Sequence, residues 1–184
     1  PYFSLRVIAP AWGVNWQMIQ TERTYIRPIE LKDEPDLFEI YKCPEVFKHF
    51  GSGPYSREDH KASIQRAVNR WSELGKGELV AVFKNIVIAR LILFPIEHED
   101  FEIGYVLNPK YWGNGLASEL AEALTNHAFS LGAEKVTACA RETNTVSRHI
   151  ITKLGYTEER QKLGEDGINR LYFSKTKRGG VAAN

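Results

Sequence analysis

The order of hydrophobic patterns along the 184 residues predicts the α/β (α+β) class, with one mixed, largely antiparallel central sheet of about seven strands and helices on both faces. Three observations carry this. Residues 77–109 read as three consecutive strands with no helix between them, an antiparallel meander. Two strong helical periodicities then alternate with strands, which makes β-α-β units. No repeat, linker or low-complexity tract interrupts residues 18–177, a length that suits one domain with a sizeable core.

Each element has its own signal. "TERTYIRPI" (21–29) alternates and is β-branched, so it reads as a strand ended by Pro28. "ELKDEPDLFEIYKC" places Leu37, Ile40 and Tyr41 at helical spacing, with acidic residues in its first turn. "HFGSGPYS" (49–56) is turn-rich. Ser56, with Asp59 three residues later, predicts a capped helix over 56–74, and Ile64, Ala67, Val68 and Trp71 form its stripe. "GELVAVFKNIVIARLILFPI" (77–96) predicts two strands turning at Lys84-Asn85, and "EDFEIGYVLNP" (99–109) a third, stopped by Pro109. Residues 115–131 carry the strongest helical pattern, with Leu116, Leu120, Leu124 and Leu131 on one face and Gly132 as its stop. A strand follows at 133–140. Val146, Ile150 and Leu154 then predict a helix over 144–154, and "GEDG" (164–167) joins two last strands near 156–162 and 168–175. Residues 1–17 read as an extension and 178–184 as a frayed tail. Arg6 interrupts the first apolar run and no basic stretch precedes it, which argues against a secretion signal.

Composition narrows the function classes. A net charge of +1 offers no electrostatic footprint for nucleic acid or an anionic membrane. No apolar run approaches the roughly 20 residues of a membrane span. Cys43 and Cys139 are too few for a disulfide framework, which fits a reducing cytoplasm. Cys139, within "KVTACA", reads as core. "HED" (98–100) has no second ligand pair at helical or turn spacing, so no metal is expected.

The segment "KYWGNGLA" (110–117) raises the functional question. Gly113 and Gly115 stand where a helix should begin, although glycine is a poor helix former. Either the chain merely turns there, or its main chain must come close to a ligand. Unpaired N–H groups and the positive dipole end at a helix start suit an anion, above all phosphate. The dinucleotide fingerprint fits poorly, because Ser118 stands where its third glycine belongs, and the P-loop ending Gly-Lys-Ser/Thr is absent.

Here the chain resembles the GNAT superfamily of acetyl-CoA-dependent N-acetyltransferases. Their signature Gln/Arg-x-x-Gly-x-Gly/Ala is matched by Lys110, Gly113 and Gly115, with lysine departing from the common first residue. "FEIGYVLNPKYWGNGLASE" and "ETNTVSRHIITKLGY" are similar to the ribosomal-protein serine/alanine N-terminal acetyltransferase branch, and the likeness runs from about Met18 to Lys175. The resemblance implies a sheet splayed between strands four and five, with the pantetheine of CoA in the gap. It implies backbone contacts from Tyr105, Val106 and Leu107. The N–H groups of Gly113, Asn114, Gly115, Leu116 and Ala117 would then hold the pyrophosphate, with charge from Lys110. Trp112 either covers this loop or packs on the sheet, packing being favoured.

The same resemblance assigns catalysis. Acetyl transfer to an amine requires proton removal from the amine and stabilisation of the leaving thiolate. Glu102 is the candidate base, directly or through water. Asn144 would anchor the cofactor while capping its helix, and Ser147, one turn on, would donate toward the sulfur. Tyr156 is a less favoured acid.

The expected function is acetyl transfer from acetyl-CoA to a primary amine, a protein or peptide N-terminal α-amine, by direct attack in a ternary complex. An α-amine has a pKa of about 8 against about 10.4 for lysine, so a weak base suffices. The alternatives are a small-amine acetyltransferase (antibiotic, polyamine, amino acid) and a non-catalytic acyl-CoA sensor. Acceptor choice is expected in the 45–56 loop and the 162–168 hairpin. The chain is expected to be cytoplasmic, and a monomer or homodimer.

Overall fold

Glu78–Phe83 (β3) is apolar from Leu79 onward, and both of its faces are buried, as a strand inside a covered sheet requires. Leu79 and Ala81 join one core cluster, and Val80 and Val82 the other. The structure, a computed structural model, describes residues 18–50, 53–74, 76–96 and 100–177. The predicted extension and tail, and most of "HED", lie outside the described residues.

The chain runs β1 (Ile19–Gln20), β2 (Tyr25–Pro28), α1 (Glu34–Tyr41), α2 (Pro44–Phe47), α3 (Arg57–Leu74), β3, β4 (Ile86–Pro95), β5 (Phe101–Leu107), α4 (Leu116–Ser130), β6 (Lys135–Arg141), α5 (Thr145–Lys153), β7 (Thr157–Leu163) and β8 (Asn169–Thr176). The strands form one sheet in the order β1-β2-β3-β4-β5-β6-β8-β7. Among the described residues only β5 and β6 pair in parallel. The mixed, largely antiparallel sheet is the one predicted.

The strand count among the described residues is eight rather than about seven, because "TERTYIRPI" is not one strand. Its first half is a turn: Thr21 N–H donates to the Thr24 carbonyl at 2.9 Å, and Thr24 N–H donates to Thr21 Oγ1 at 2.8 Å. Ile19 therefore pairs back onto Ile26. Hydroxyl-to-backbone bonding has overridden the β-branched pattern there. The meander behaves as expected, with Lys84 (φ 49°) and Asn85 (φ 65°) making the tight turn between β3 and β4.

Helices α1 and α3 cover one face, where Leu37, Ile40 and Ile64 are sealed. Arg90, buried on β4, pairs with Glu78 there and reaches Ser63 Oγ at 3.2 Å. At the start of α3 the predicted cap forms, Asp59 N–H donating to Ser56 Oγ at 3.1 Å. Helix α4 covers the other face with Leu116, Leu120 and Leu124. Two sequence expectations fail on these faces. Cys139 is exposed, because burial alternates along β6 and falls on Val136, Ala138 and Ala140. Val146 is 69 % exposed, because the first turn of α5 lines an open cavity, and only Ile150 and Ile151 are buried along this helix.

Candidate active site

β5 stays paired with β4 along its whole length, from Phe101 opposite Pro95 to Leu107 opposite Ala89. Its ladder with β6 covers only Phe101, Glu102 and Ile103. β6 meanwhile remains on β8 as far as Arg141. The two strands therefore part after Ile103, which is the expected splay, and a cavity of about 440 Å³ opens in the gap. Asn108 N–H donates to the Ile88 carbonyl at 2.8 Å, so by alternation Val106 points its polar groups at β4. Tyr105 and Leu107 turn theirs toward the gap. The Leu107 carbonyl already accepts from Trp112 Nε1 at 2.8 Å. Trp112 is 47 % exposed and lines the cavity, so it covers the loop and strand end rather than packing on the sheet.

One wall is the start of α4. Gly113 (φ 77°) and Gly115 (φ 75°) are left-handed. A Cβ on Gly113 would meet nothing within 4 Å, and on Gly115 only Arg23 Nη2 at 3.5 Å. The backbone path, not crowding, demands glycine at both. Gly115 is the N-cap and has no side chain to cap with, so the first N–H groups of α4 lack intrahelical partners. Leu116, Ala117 and Ser118 line the cavity from there. Arg23 ties this loop down from behind: its Nε donates to Glu119 Oε2 at 2.6 Å and its Nη1 to the Asn114 carbonyl at 2.7 Å. Burial pushes the Glu119 carboxyl up, but bonds from Thr21 and Arg23 outweigh it and hold its pKa below the usual range. Lys110 and Asn114 do not line the cavity, and both are exposed.

The opposite wall is the start of α5. Asn144 is the predicted N-cap, its Oδ1 accepting from Ser147 N–H at 3.1 Å, and both residues line the cavity. Tyr105 donates its phenol O–H to Ser147 Oγ at 3.4 Å. Burial raises the Tyr105 pKa against the opposing effect of Ser147, so the phenol keeps its proton at neutral pH. Tyr156 stands elsewhere: its hydroxyl bonds Thr125 Oγ1 at 2.7 Å in the core, and burial pushes its pKa up to about 12. Glu102 is exposed on β5, in register with Thr137, and is outside the cavity lining.

The third wall falls in the 45–56 loop where acceptor choice is expected, at residues that no sequence signal singled out. Glu45, Val46, His49 and Phe50, from α2 and the turn after it, close the cavity. His49 Nδ1 lies 3.4 Å from Thr143 Oγ1, linking this turn to the residue before Asn144. The spacing of Glu45 and His49 is visible in "PEVFKHF", but nothing local says that this face meets the gap. Also missed was the side chain of Tyr105, whose backbone alone had been singled out. Among the described residues no three-ligand metal cluster occurs, and no helix is long and apolar enough to cross a membrane.

Comparisons with known proteins bear on this geometry. A model of the acetyltransferase (GNAT) domain matches residues 23–157. The chain is 28% identical over 144 residues to the uncharacterized N-acetyltransferase YnaD of Bacillus subtilis (strain 168), covering 77% of this chain and 83% of that one. It is 28% identical over 149 residues to the uncharacterized N-acetyltransferase p20 of Bacillus licheniformis, covering 78% and 84%. An acetyltransferase (GNAT family) from Bacillus anthracis superimposes with a TM-score of 0.77 at 25% identity, over 87% of this chain and 98% of that one. The fold is also that of RimL, a ribosomal L7/L12 alpha-N-protein acetyltransferase solved in complex with coenzyme A, with TM-score 0.75, 17% identity and coverage of 87% and 98%.

Proposed function

The chain belongs to the GNAT family of acetyltransferases, and from that premise we propose that it moves acetyl from acetyl-CoA to a protein or peptide N-terminal α-amine. The observation that carries the donor half is the gap itself. It runs from the uncapped start of α4 to the Tyr105–Ser147 pair.

The residues present fit acetyl-CoA. The N–H groups around Gly113, Gly115, Leu116 and Ala117 receive a pyrophosphate, in a loop whose shape Arg23 maintains through Asn114 and Glu119. Lys110 adds positive charge outside the lining. Tyr105 and Leu107 offer the N–H groups that β6 leaves unpaired, and the pantetheine amides take them as an added strand would. Asn144 sets the first turn of α5, so Ser147 faces the gap with its O–H free to donate. Bound acetyl-CoA supplies an acyl carbon activated as a thioester. The net change is R–NH₃⁺ + acetyl-S-CoA → acetyl-NH-R + CoA-SH + H⁺. Ser147, backed by the Tyr105 phenol, stabilises the developing thiolate. Glu102 is exposed and has no place on the cavity wall, so it does not touch the amine.

The α-amine is favoured on chemistry. Its pKa of about 8 lets a weak base suffice at neutral pH. The rim, with Phe50 and Val146 exposed, leaves the continuing peptide outside. The test is thiol release from acetyl-CoA with a panel of peptides and small amines, beside calorimetry of CoA binding. Turnover with free peptide N-termini, abolished by blocking the α-amine, is expected. Turnover with small amines only would replace the acceptor; tight CoA binding with no acceptor at all would make the protein a sensor.

A further inference from the structure

We propose that the acceptor amine docks between Glu45 and His49, where Glu45 holds its positive charge and His49 Nε2 takes its proton. This rests on the acetyl-transfer reading above and names the residues that handle the acceptor.

The cavity wall is otherwise apolar or neutral. Among its described lining residues, Glu45 and His49 alone carry a carboxylate or an imidazole, and none carries a lysine or arginine charge. A cationic substrate entering this gap meets just one negative group. An amine must also lose a proton before it attacks, and the acceptor of that proton must touch it or reach it through one water. Glu102 is outside the lining, while Tyr105, with its raised pKa, stays protonated.

Geometry pairs the two residues. Glu45 lies in α2, Lys48 at its end is still right-handed helical (φ −52°, ψ −28°), and Phe50 N–H returns to the Phe47 carbonyl at 3.0 Å. Glu45, in α2, and His49, in the turn that follows it, stand four apart, and both line the gap. His49 is half-buried and has its Nδ1 3.4 Å from Thr143 Oγ1. In the tautomer that donates Nδ1–H to Thr143, Nε2 keeps its lone pair. The two groups are suited to different tasks. Glu45 Oε2 accepts from the Cys43 thiol at 2.8 Å, and that bond together with its own backbone N–H holds the carboxyl below the usual range, making it a lasting counter-charge and a poor base. Imidazole is the side chain that most readily takes up and releases a proton near neutrality, which suits His49 to the transfer. The step balances as R–NH₃⁺ plus neutral imidazole giving R–NH₂ plus imidazolium, whose proton then passes to bulk water.

The experiment uses the full chain, an acceptor found by the panel above, and four variants: His49→Ala, His49→Gln, Glu45→Gln and Glu102→Gln. Thiol release gives kcat and the acceptor KM, and calorimetry gives CoA affinity. His49→Ala and His49→Gln are each expected to lower kcat by about 10²-fold or more, with CoA affinity within about twofold. Added imidazole restores part of the rate of His49→Ala. Glu45→Gln is expected to raise the acceptor KM about tenfold while kcat changes little, as loss of uniform binding does. If His49→Ala fails to fold by circular dichroism, His49→Gln decides. Wild-type turnover with both His49 variants unaffected overturns the inference and leaves acetyl transfer standing, as does loss of kcat in Glu102→Gln alone. Wild-type protein that binds CoA but acetylates no amine overturns both readings.

Discussion

Two helices, α4 and α5, begin at the same cavity, and their first turns are built in opposite ways. Gly115 opens α4 with a left-handed residue and no capping side chain, so its N–H groups are left for a ligand. Asn144 opens α5 and spends its side chain on Ser147 N–H at 3.1 Å. An uncapped start costs stability in the empty protein but presents donors and a positive dipole end. A capped start contributes stability and leaves only side chains to act. The difference teaches that one wall binds through its main chain and the other acts through Ser147 and its partner Tyr105.

The sharpest way to break this contrast is Gly115→Val. A β-branched residue resists φ 75°, so the loop must abandon its shape. CoA affinity is expected to fall about 10²-fold by calorimetry, corresponding to about 2.7 kcal/mol. Ser147→Ala should do the converse: kcat falls at least about tenfold, and CoA affinity stays within about twofold. Equal losses of affinity in both variants would erase the division between the walls. Arg23→Met probes what holds the open start in place. It leaves Glu119 without its ion pair beside the phosphate station, and a roughly fivefold weaker CoA affinity is expected, diminishing at high salt. The smallest effect belongs to the cap. Asn144→Ala should lower unfolding stability by about 1 kcal/mol, read from denaturant titration, while CoA binding weakens only about two- to threefold. A loss as deep as that of Gly115→Val would mean that Asn144 is a principal cofactor ligand.

Legibility in the sequence followed the range of the interaction. The glycine-opened start of α4, the Asn144 cap and the Lys84-Asn85 turn are local, set by residues within one turn of each other, and all were readable. The stripe of α4 was readable because a helix repeats its buried positions every three to four residues. "TERT" was misread because the Thr21 hydroxyl bonds both the N–H and the carbonyl of Thr24 and outcompetes strand pairing. Cys139 was misread because an apolar run does not say which alternate residue faces a helix. Val146 was misread because the helical period cannot tell a packed neighbour from an open cavity, which Val146 lines.

Sequence alone was enough for the class of fold, for the order of elements from β2 onward apart from the short α2, and for the starts of α3, α4 and α5. Those depend on propensity, periodicity and capping between near neighbours. Only the tertiary structure decided that β5 keeps β4 but parts from β6 after Ile103, that Tyr105 meets Ser147 across the gap, and that Glu45 and His49 close it. Each of these joins residues far apart along the chain. Contact between such residues is settled by how the helices pack on the two faces of the sheet, and no short stretch of sequence carries it.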